Sequence, residues 1–273
     1  SDLEWKDANR IDAFRQILPF TLSDPLYKTE VLVYEDERGI YLGYRAYQPT
    51  KTMRANLHER DAWQTNADRV GFIIDYNAGN LRSLQKSLEM VGFHALITNN
   101  IKEIEGANKI ILPGVGSFGD CMEGLRSVVG LEEAIKNQIL VNKKPFLGVC
   151  VGMQVLASLG FEDGEHRGLD LIKGEVKKII ASDDVKVPHM GWNDLVVKPN
   201  NHDVFKDIAS GSHFYFANSY HFECAEGDNI FAYAQYGSKI NAIVARENII
   251  GLQFHPEKSD KTGLQIIENF INL

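Results

Sequence analysis

The sequence predicts an α/β protein: a mostly parallel sheet flanked by helices, preceded by a small β-rich segment. Up to about residue 69, β-branched and alternating stretches are bounded by turn residues. From residue 70 onward, short continuous apolar runs alternate with stretches of helical periodicity. Strands that alternate with helices form βαβ units, whose strands are parallel. We therefore predict a β-rich segment over residues 1–69 and an α/β domain over residues 70–273.

Composition supports a globular protein and argues against several classes of partner. The 273 residues are 44% hydrophobic and 24% charged, which is sufficient for a normal core. The net charge of −8 argues against nucleic-acid binding, which needs a basic face. No apolar run reaches the roughly 20 residues of a membrane span, and the first residues lack the pattern of a signal peptide. Three cysteines suggest neither a disulfide framework nor a metal site, so we expect a cytoplasmic protein without metal or cofactor.

The elements follow in order along the chain. Two strands around a turn at residues 37–39 predict an N-terminal hairpin. In the second part, buried strands are predicted near residues 70–76, 108–114 and 145–150. Residues 94–99 also have a strand-like pattern. Helices are predicted over residues 81–92, 131–144, 151–160 and 262–273. Residues 172–254 are richer in short strands, among them a single strand over residues 213–223.

Cys150 is the first candidate for chemistry. It ends an apolar strand, with Gly148 and Gly152 on either side and a helix predicted to follow at once. This G-x-C-x-G arrangement is typical of a nucleophile elbow, in which glycines relieve a sharp strand-to-helix turn. A helix N-terminus at the sulfur would favour the thiolate. The alternative is a small buried cysteine without a chemical role.

His255 and Glu257 are the second candidate, in the segment GLQFHPEKS at a strand end. A cysteine nucleophile needs a base, and the base needs an acceptor that fixes its tautomer. His255 can exchange the proton, and Glu257 can hold the other ring nitrogen. A single HPE segment is more often a loop, but beside a nucleophile elbow it predicts a triad.

The glycine-rich turn at residues 113–116 is the third candidate. It follows a buried strand, so it lies at the same sheet edge as Cys150. Its N–H groups, at Val115 and Gly116, can stabilise an oxyanion together with the N–H of Val151. A phosphate loop or a plain tight turn would give the same pattern, although the Lys-Ser/Thr pair of a Walker motif is missing.

Several segments together carry a resemblance to a known family. They are IIDYNAGNLRSL, LPGVGSFGDCM, FLGVCVGMQ, GLDLIKGEV, VPHMGWNDL, YFANSYHF and GLQFHPEKS. Residues from about 71 to 273 resemble class I glutamine amidotransferases, and within them the glutaminase subunits of imidazole glycerol phosphate synthase. The resemblance implies the class I amidotransferase fold and hydrolysis of glutamine by Cys150, His255 and Glu257.

The resemblance also implies binding residues and a partner. Gln154, Ser219 and Tyr220 would contact glutamine, and Asn80, Trp192 and Lys258 would face a synthase. That partner would be a (β/α)8-barrel cyclase forming a heterodimer, which uses the ammonia for histidine biosynthesis. A barrel of this kind needs roughly 250 residues, so it is not part of this chain.

The sequence departs from the family pattern at three positions. Val151 replaces the usual Leu, Asn218 stands where the family more often has His, and Asp260 is unusual. The role of Asn218 is therefore open. The N-terminal part resembles the opening of a family 9-like carbohydrate-binding β-sandwich, whose aromatic residues are either a sugar platform or core.

Two other functions fit the sequence. One is a related amidotransferase subunit that serves nucleotide-sugar or surface-polysaccharide modification, since the triad does not identify the acceptor. The other is a non-catalytic carbohydrate-binding or scaffold protein with an inert domain, against which the intact triad argues.

Overall fold

The computed structural model describes residues 71–76, 79–199 and 202–273 in full, and the backbone of five strands before them. The chain divides into two compact units, Ser1–Asn66 and Ala67–Leu273. The sequence predicts the boundary between the two parts at residues 69 and 70. This boundary stays a prediction, which the fold and activity of a truncated chain test.

In the first unit, the described strands form two small antiparallel sheets. Its described strands are β1 (Asn9–Ile11), β2 (Gln16–Leu18), β3 (Thr21–Ser23), β4 (Thr29–Asp36) and β5 (Gly39–Ala46). β1, β4 and β5 form one sheet, and β2 and β3 form the other. The predicted hairpin is confirmed, because β4 and β5 pair antiparallel from Thr29 opposite Ala46 to Asp36 opposite Gly39. The aromatic side chains considered above as a sugar platform lie outside the described residues.

The second unit is built on one large mixed sheet with helices. Its first half contains β6 (Gly71–Ile74), α1 (Leu81–Met90), β7 (Ala95–Thr98), α2 (Ile101–Gly106), β8 (Lys109–Gly114), α3 (Phe118–Ser127), α4 (Leu131–Leu140), β9 (Phe146–Cys150) and α5 (Val151–Gln154). Its second half contains β10 (Leu159–Gly160), β11 (His166–Arg167), β12 (Gly174–Lys178), β13 (His189–Val197), β14 (His213–Asn218), β15 (Tyr220–Cys224), β16 (Ile230–Tyr236), β17 (Ser238–Arg246), β18 (Ile249–Leu252) and α6 (Asp260–Ile271). Three short 3-10 helices lie at Asp203–Phe205, Gly227–Asn229 and Pro256–Lys258.

Within the described part of this unit, nine strands form the main sheet in the order β14-β13-β16-β17-β18-β9-β8-β6-β7. The strands from β18 to β7 are parallel to their neighbours, and those from β14 to β18 are antiparallel. The α/β class is confirmed, with parallel pairing confined to one half. β6, β8 and β9 are buried at every position, as expected of strands covered on both faces. A second sheet has the order β11-β10-β12-β15.

Two predicted elements are corrected by the structure. The helix expected over residues 151–160 ends at Gln154, because the chain then turns so that Ser158 N donates to Gly174 O and β10 joins the second sheet. The single strand expected over residues 213–223 is two strands, β14 in the main sheet and β15 in the second, separated at Ser219.

Local sequence explains where the helices begin. Ser117 precedes α3 and its hydroxyl accepts a hydrogen bond from Asp120 N at 3.1 Å, as an N-cap does. Asn100 caps α2 in the same way through Lys102 N. In α1, Leu84 and Leu88 lie on one face and are buried in the core. This core is one continuous apolar cluster that includes residues from β6, β8, β9, β18 and α6.

Candidate active site

Cys150 occupies a strained turn between β9 and α5. Its backbone lies at φ +56° and ψ −114°, a region that residues other than glycine seldom adopt. The flanking glycines make this turn possible. A Cβ on Gly148 would collide with the carbonyl of Gly152, and a Cβ on Gly152 would collide with the carbonyl of Leu112 in β8. The predicted steric role of both glycines is confirmed. The expected helix beneath the sulfur is a single turn.

His255 reaches the same sheet edge from the neighbouring strand. β18 runs parallel to β9 with Leu252 opposite Val149, so the residues that follow both strands emerge side by side. The Nδ1 atom of His255 lies 2.8 Å from Oε1 of Glu257, and both side chains are buried. With Nδ1 engaged by the carboxylate, Nε2 is the nitrogen that can serve the sulfur.

The electrostatics of His255 favour its protonated form. Burial alone lowers the pKa of the ring, but the Cys150 sulfur and the Glu257 carboxylate together outweigh it and raise the pKa to about 10. An imidazolium beside a cysteine is arranged to give a proton to a leaving group after the sulfur attacks. The three residues therefore form an arrangement suited to acyl transfer.

The turn at residues 113–116 lies beside the cysteine. β8 pairs with β9 so that Gly114 is opposite Cys150, which places Val115 next to the start of α5. Gly116 has φ +94°, a conformation that glycine tolerates. Two buried side chains hold this turn: the Tyr76 hydroxyl donates to Pro113 O at 2.5 Å, and the Cys121 thiol contacts Val115 O at 3.6 Å.

The predicted glutamine-contacting residues are found in two settings. Ser219 and Tyr220 line a cleft of about 680 Å³, together with Glu162, Asp163, Lys178, Ile179, Ile180, Ala181 and Val187. Gln154 is almost fully buried, and its Nε2 donates to Tyr220 O at 2.9 Å and to Gln253 Oε1 at 3.1 Å. The amide nitrogen of Gln154 thus supports the wall of the cleft.

Residues 72–273 match the family described as glutamine amidotransferase class-I. The chain belongs to the class-I glutamine amidotransferase family. It is 44% identical over 206 residues to the imidazole glycerol phosphate synthase subunit HisH of Rhodospirillum rubrum, covering 73% of this chain and 96% of that protein. It is also 44% identical to subunit HisH 1 of Campylobacter jejuni, covering 74% of this chain and 98% of that protein. The structure of PurLQS from Thermotoga maritima shares the fold, with a TM-score of 0.58 and 20% identity over 75% of this chain and 98% of that chain.

The residues predicted to face a synthase lie around one exposed side of the amidotransferase unit. Trp192 of β13 is 53% exposed and meets the Tyr215 ring edge-on, with centroids 6.1 Å apart. The Lys258 ammonium lies 5.8 Å from the centre of the same Tyr215 ring. Asn80 precedes α1, a helix that packs against the 3-10 helix containing Lys258. Tyr215 connects two of these three residues.

Glu162 is a further residue of the amidotransferase cleft that sequence reasoning missed. Its Oε2 accepts a hydrogen bond from Phe118 N at 2.8 Å, at the start of α3. Burial, supported by the negative charges of Asp163 and Asp120, raises the pKa of this carboxyl. The only sequence signal is the acidic stretch FEDGE after the nucleophile, and an acidic stretch is usually a solvated loop.

Among residues 71–76, 79–199 and 202–273, no group of three or more His, Cys, Asp or Glu side chains is arranged to hold a metal ion. Across the same residues, no helix is long and apolar enough to cross a bilayer.

Proposed function

We propose that residues 70–273 are the glutaminase subunit of an imidazole glycerol phosphate synthase. Glutamine is hydrolysed to glutamate, and the ammonia passes to a cyclase partner for histidine biosynthesis. One observation carries the chemistry: Cys150 ends β9, and His255 and Glu257 follow β18, the parallel neighbour of β9. The Nδ1 atom of His255 lies 2.8 Å from Oε1 of Glu257. The relatives that are 44% identical and named as subunits of this synthase support the choice of acceptor.

The reaction follows from the positions of these side chains. The Cys150 sulfur attacks the carboxamide carbon of glutamine, and in our proposal the N–H groups of Val115, Gly116 and Val151 stabilise the oxyanion. His255, protonated and held by Glu257, gives its proton to the departing ammonia. The neutral ring then takes a proton from water, which attacks the thioester and releases glutamate.

The cleft lined by Ser219 and Tyr220 supports glutamine as the substrate. Glu162 and Asp163 offer carboxylates for an α-ammonium group, and Lys178 offers a cation for an α-carboxylate. Ser219 and Tyr220 supply the wall between them, supported by Gln154. A free amino acid carries both charges, so this cleft suits an amino acid better than a peptide.

The partner is a (β/α)8-barrel cyclase that forms a heterodimer with this chain. A mixed aromatic and charged docking face is provided by the exposed Trp192, by Lys258 beside Tyr215, and by Asn80 at the start of α1. Ammonia is quickly protonated and diluted in water, so release beside a docked partner protects it. Because histidine biosynthesis would supply the acceptor, we propose that the complex works in the cytoplasm.

The test separates the production of ammonia from its use. With the cyclase present, Cys150→Ala should abolish synthesis from glutamine and leave synthesis from an added ammonium salt intact. The matched control is Cys224→Ala, because Cys224 is a half-buried cysteine outside the triad, whose thiol donates to Glu226 O at 3.3 Å. Equal loss of both activities in Cys150→Ala would contradict the division of labour.

A further inference from the structure

The wall of the glutamine cleft contains a point where the chain changes sheets. Asn218 ends β14 and pairs with His189 in the main sheet. Tyr220 begins β15 and pairs with Lys178 in the second sheet. Ser219 lies between them, so neither ladder includes it, and yet it lines the cleft. A segment at such a crossing needs other contacts if its position is to be fixed.

Two buried amide side chains supply those contacts on a single carbonyl. Asn218 Nδ2 donates to Tyr220 O at 2.9 Å, and Gln154 Nε2 donates to the same oxygen at 2.9 Å. On the other side, Ile179 N donates to Ser219 O at 2.9 Å. Asn218 is 5% exposed and Gln154 is 2% exposed, so water competes little for these hydrogen bonds.

The orientation of the Asn218 amide shows which of its atoms is used. Its nitrogen holds Tyr220 O, whereas its Oδ1 is buried without a hydrogen-bond partner among the described residues. A buried polar atom without a partner is costly. The side chain nevertheless lies so that the N–H reaches the Tyr220 carbonyl, which makes the donor the functional group of this residue.

We propose that Asn218 is a positioning residue for glutamine. With Gln154, it forms a two-donor clamp on Tyr220 O that fixes Ser219 and Tyr220 against the substrate. Asn218 itself is not among the residues that line the cleft, so it acts through Ser219 and Tyr220. This inference rests on the proposed glutaminase function and adds to it the residue that sets the shape of the cleft wall. A donor at position 218 should be required, whereas the identity of the side chain should matter less.

The test uses the full chain with its cyclase partner and measures the KM and kcat of glutaminase activity. Asn218→Asp keeps the shape and removes the N–H donor. It should raise the KM for glutamine about tenfold, equivalent to about 1.4 kcal/mol, and change kcat less than about twofold. Asn218→His carries a ring nitrogen at the place of Nδ2 and should restore the KM. Synthesis from an ammonium salt should be unchanged in both variants.

Asn248→Asp is the matched control, because Asn248 Nδ2 also donates to backbone carbonyls, those of Ile139 and Lys144, away from the cleft. It should lower stability without changing the KM. An unchanged KM in Asn218→Asp would overturn the proposal, as would a KM that Asn218→His fails to restore. If the unaltered complex lacks glutaminase activity, the proposed function fails instead, so the two failures are distinguishable.

Discussion

The backbone of Cys150 is held in a conformation that only its surroundings can enforce. β9 is buried over its whole length, and the chain must reverse into α5 without room for side chains at Gly148 or Gly152. Strain of this kind costs about 1–3 kcal/mol and persists only where packing determines it. The turn holds Cys150 at the sheet edge, where the residue is buried together with the polypeptide around it.

Gly152→Ala tests this dependence on close packing. The added methyl group would collide with Leu112 O, so we expect a loss of about 3 kcal/mol in the free energy of unfolding. Glutaminase activity should be lost with it. The measurement is urea unfolding beside Gly106→Ala, whose methyl group would meet nothing within 4 Å. Equal stability of the two variants would contradict the steric explanation.

His189 provides a prediction about pH. Its ring is stacked between Phe216 and Tyr236, and burial lowers its pKa to about 4 from an ordinary value of 6.5. Between those two pH values, the unfolded chain binds a proton that the folded chain does not. The contribution of His189 to stability should therefore fall as the pH drops from 6.5 to 4, by up to about 3 kcal/mol. Below pH 4 this contribution should change no further.

The measurement compares the full chain with His189→Phe, which keeps a stacked ring and removes the titration. The unfolding free energy of the unaltered chain minus that of His189→Phe should be constant above pH 6.5. This difference should decrease as the pH falls from 6.5 to 4, because only the unaltered chain loses stability through residue 189. A difference that stays constant down to pH 4 would show that His189 carries its proton equally well in both states.

Among the structural elements, the turn between β8 and α3 is the one whose shape decides the chemistry. Its N–H groups must point at the oxyanion, and a glycine-rich turn can adopt more than one orientation. Tyr76 holds the carbonyl of Pro113 and Cys121 contacts the carbonyl of Val115, on either side of the Gly114–Val115 peptide. The two contacts limit how the turn can move.

Tyr76→Phe should weaken this turn. It removes one buried hydrogen bond, for a loss of about 1–3 kcal/mol in unfolding free energy, and it should lower partner-stimulated glutaminase activity more than ammonium-dependent synthesis. The control is Tyr236→Phe, since the Tyr236 hydroxyl also donates to a backbone carbonyl, that of Lys186, at 2.7 Å. Activity losses of equal size in both variants would contradict a special role for the turn.

Sequence patterns predicted the parallel half of the sheet better than the rest. β6, β8 and β9 are short, continuous apolar runs, so their type is clear without knowledge of their neighbours. The change of sheet at Ser219 has no such signal, because β14 and β15 read as one alternating strand. The helix predicted over residues 151–160 was wrong because pairing of β10 with β12 overrides its apolar pattern.

Site residues divide in the same way. Cys150, His255 and Glu257 belong to local motifs, so their side chains could be proposed from short segments. Glu162 accepts a hydrogen bond from the backbone N–H of Phe118, which is distant in the chain. No local sequence spacing indicates that contact. The helices α2 and α3 were also missed, although Asn100 and Ser117 are capping residues of the expected kind.

For the whole molecule, the described strands of the main sheet all come from residue 71 onward. A chain that begins at Arg69 should therefore keep the amidotransferase fold, bind the cyclase and retain glutaminase activity. The measurements are a thermal melt, co-purification with the cyclase and a glutaminase assay. Insolubility of the shortened chain, or loss of its response to the cyclase, would show that the N-terminal segment is an integral part of the domain.

The position of β18 has a consequence for the order of events during synthesis. It is the last strand of the chain, and it lies in the interior of the main sheet, between β17 and β9. Until it emerges from the ribosome, the two halves of the sheet cannot join and Cys150 has no His255 beside it. Long-range pairing of this kind forms late in folding. A nascent chain therefore carries a nucleophile that stays idle until β18 and His255 have been synthesised, and glutamine is spared hydrolysis by unfinished enzyme.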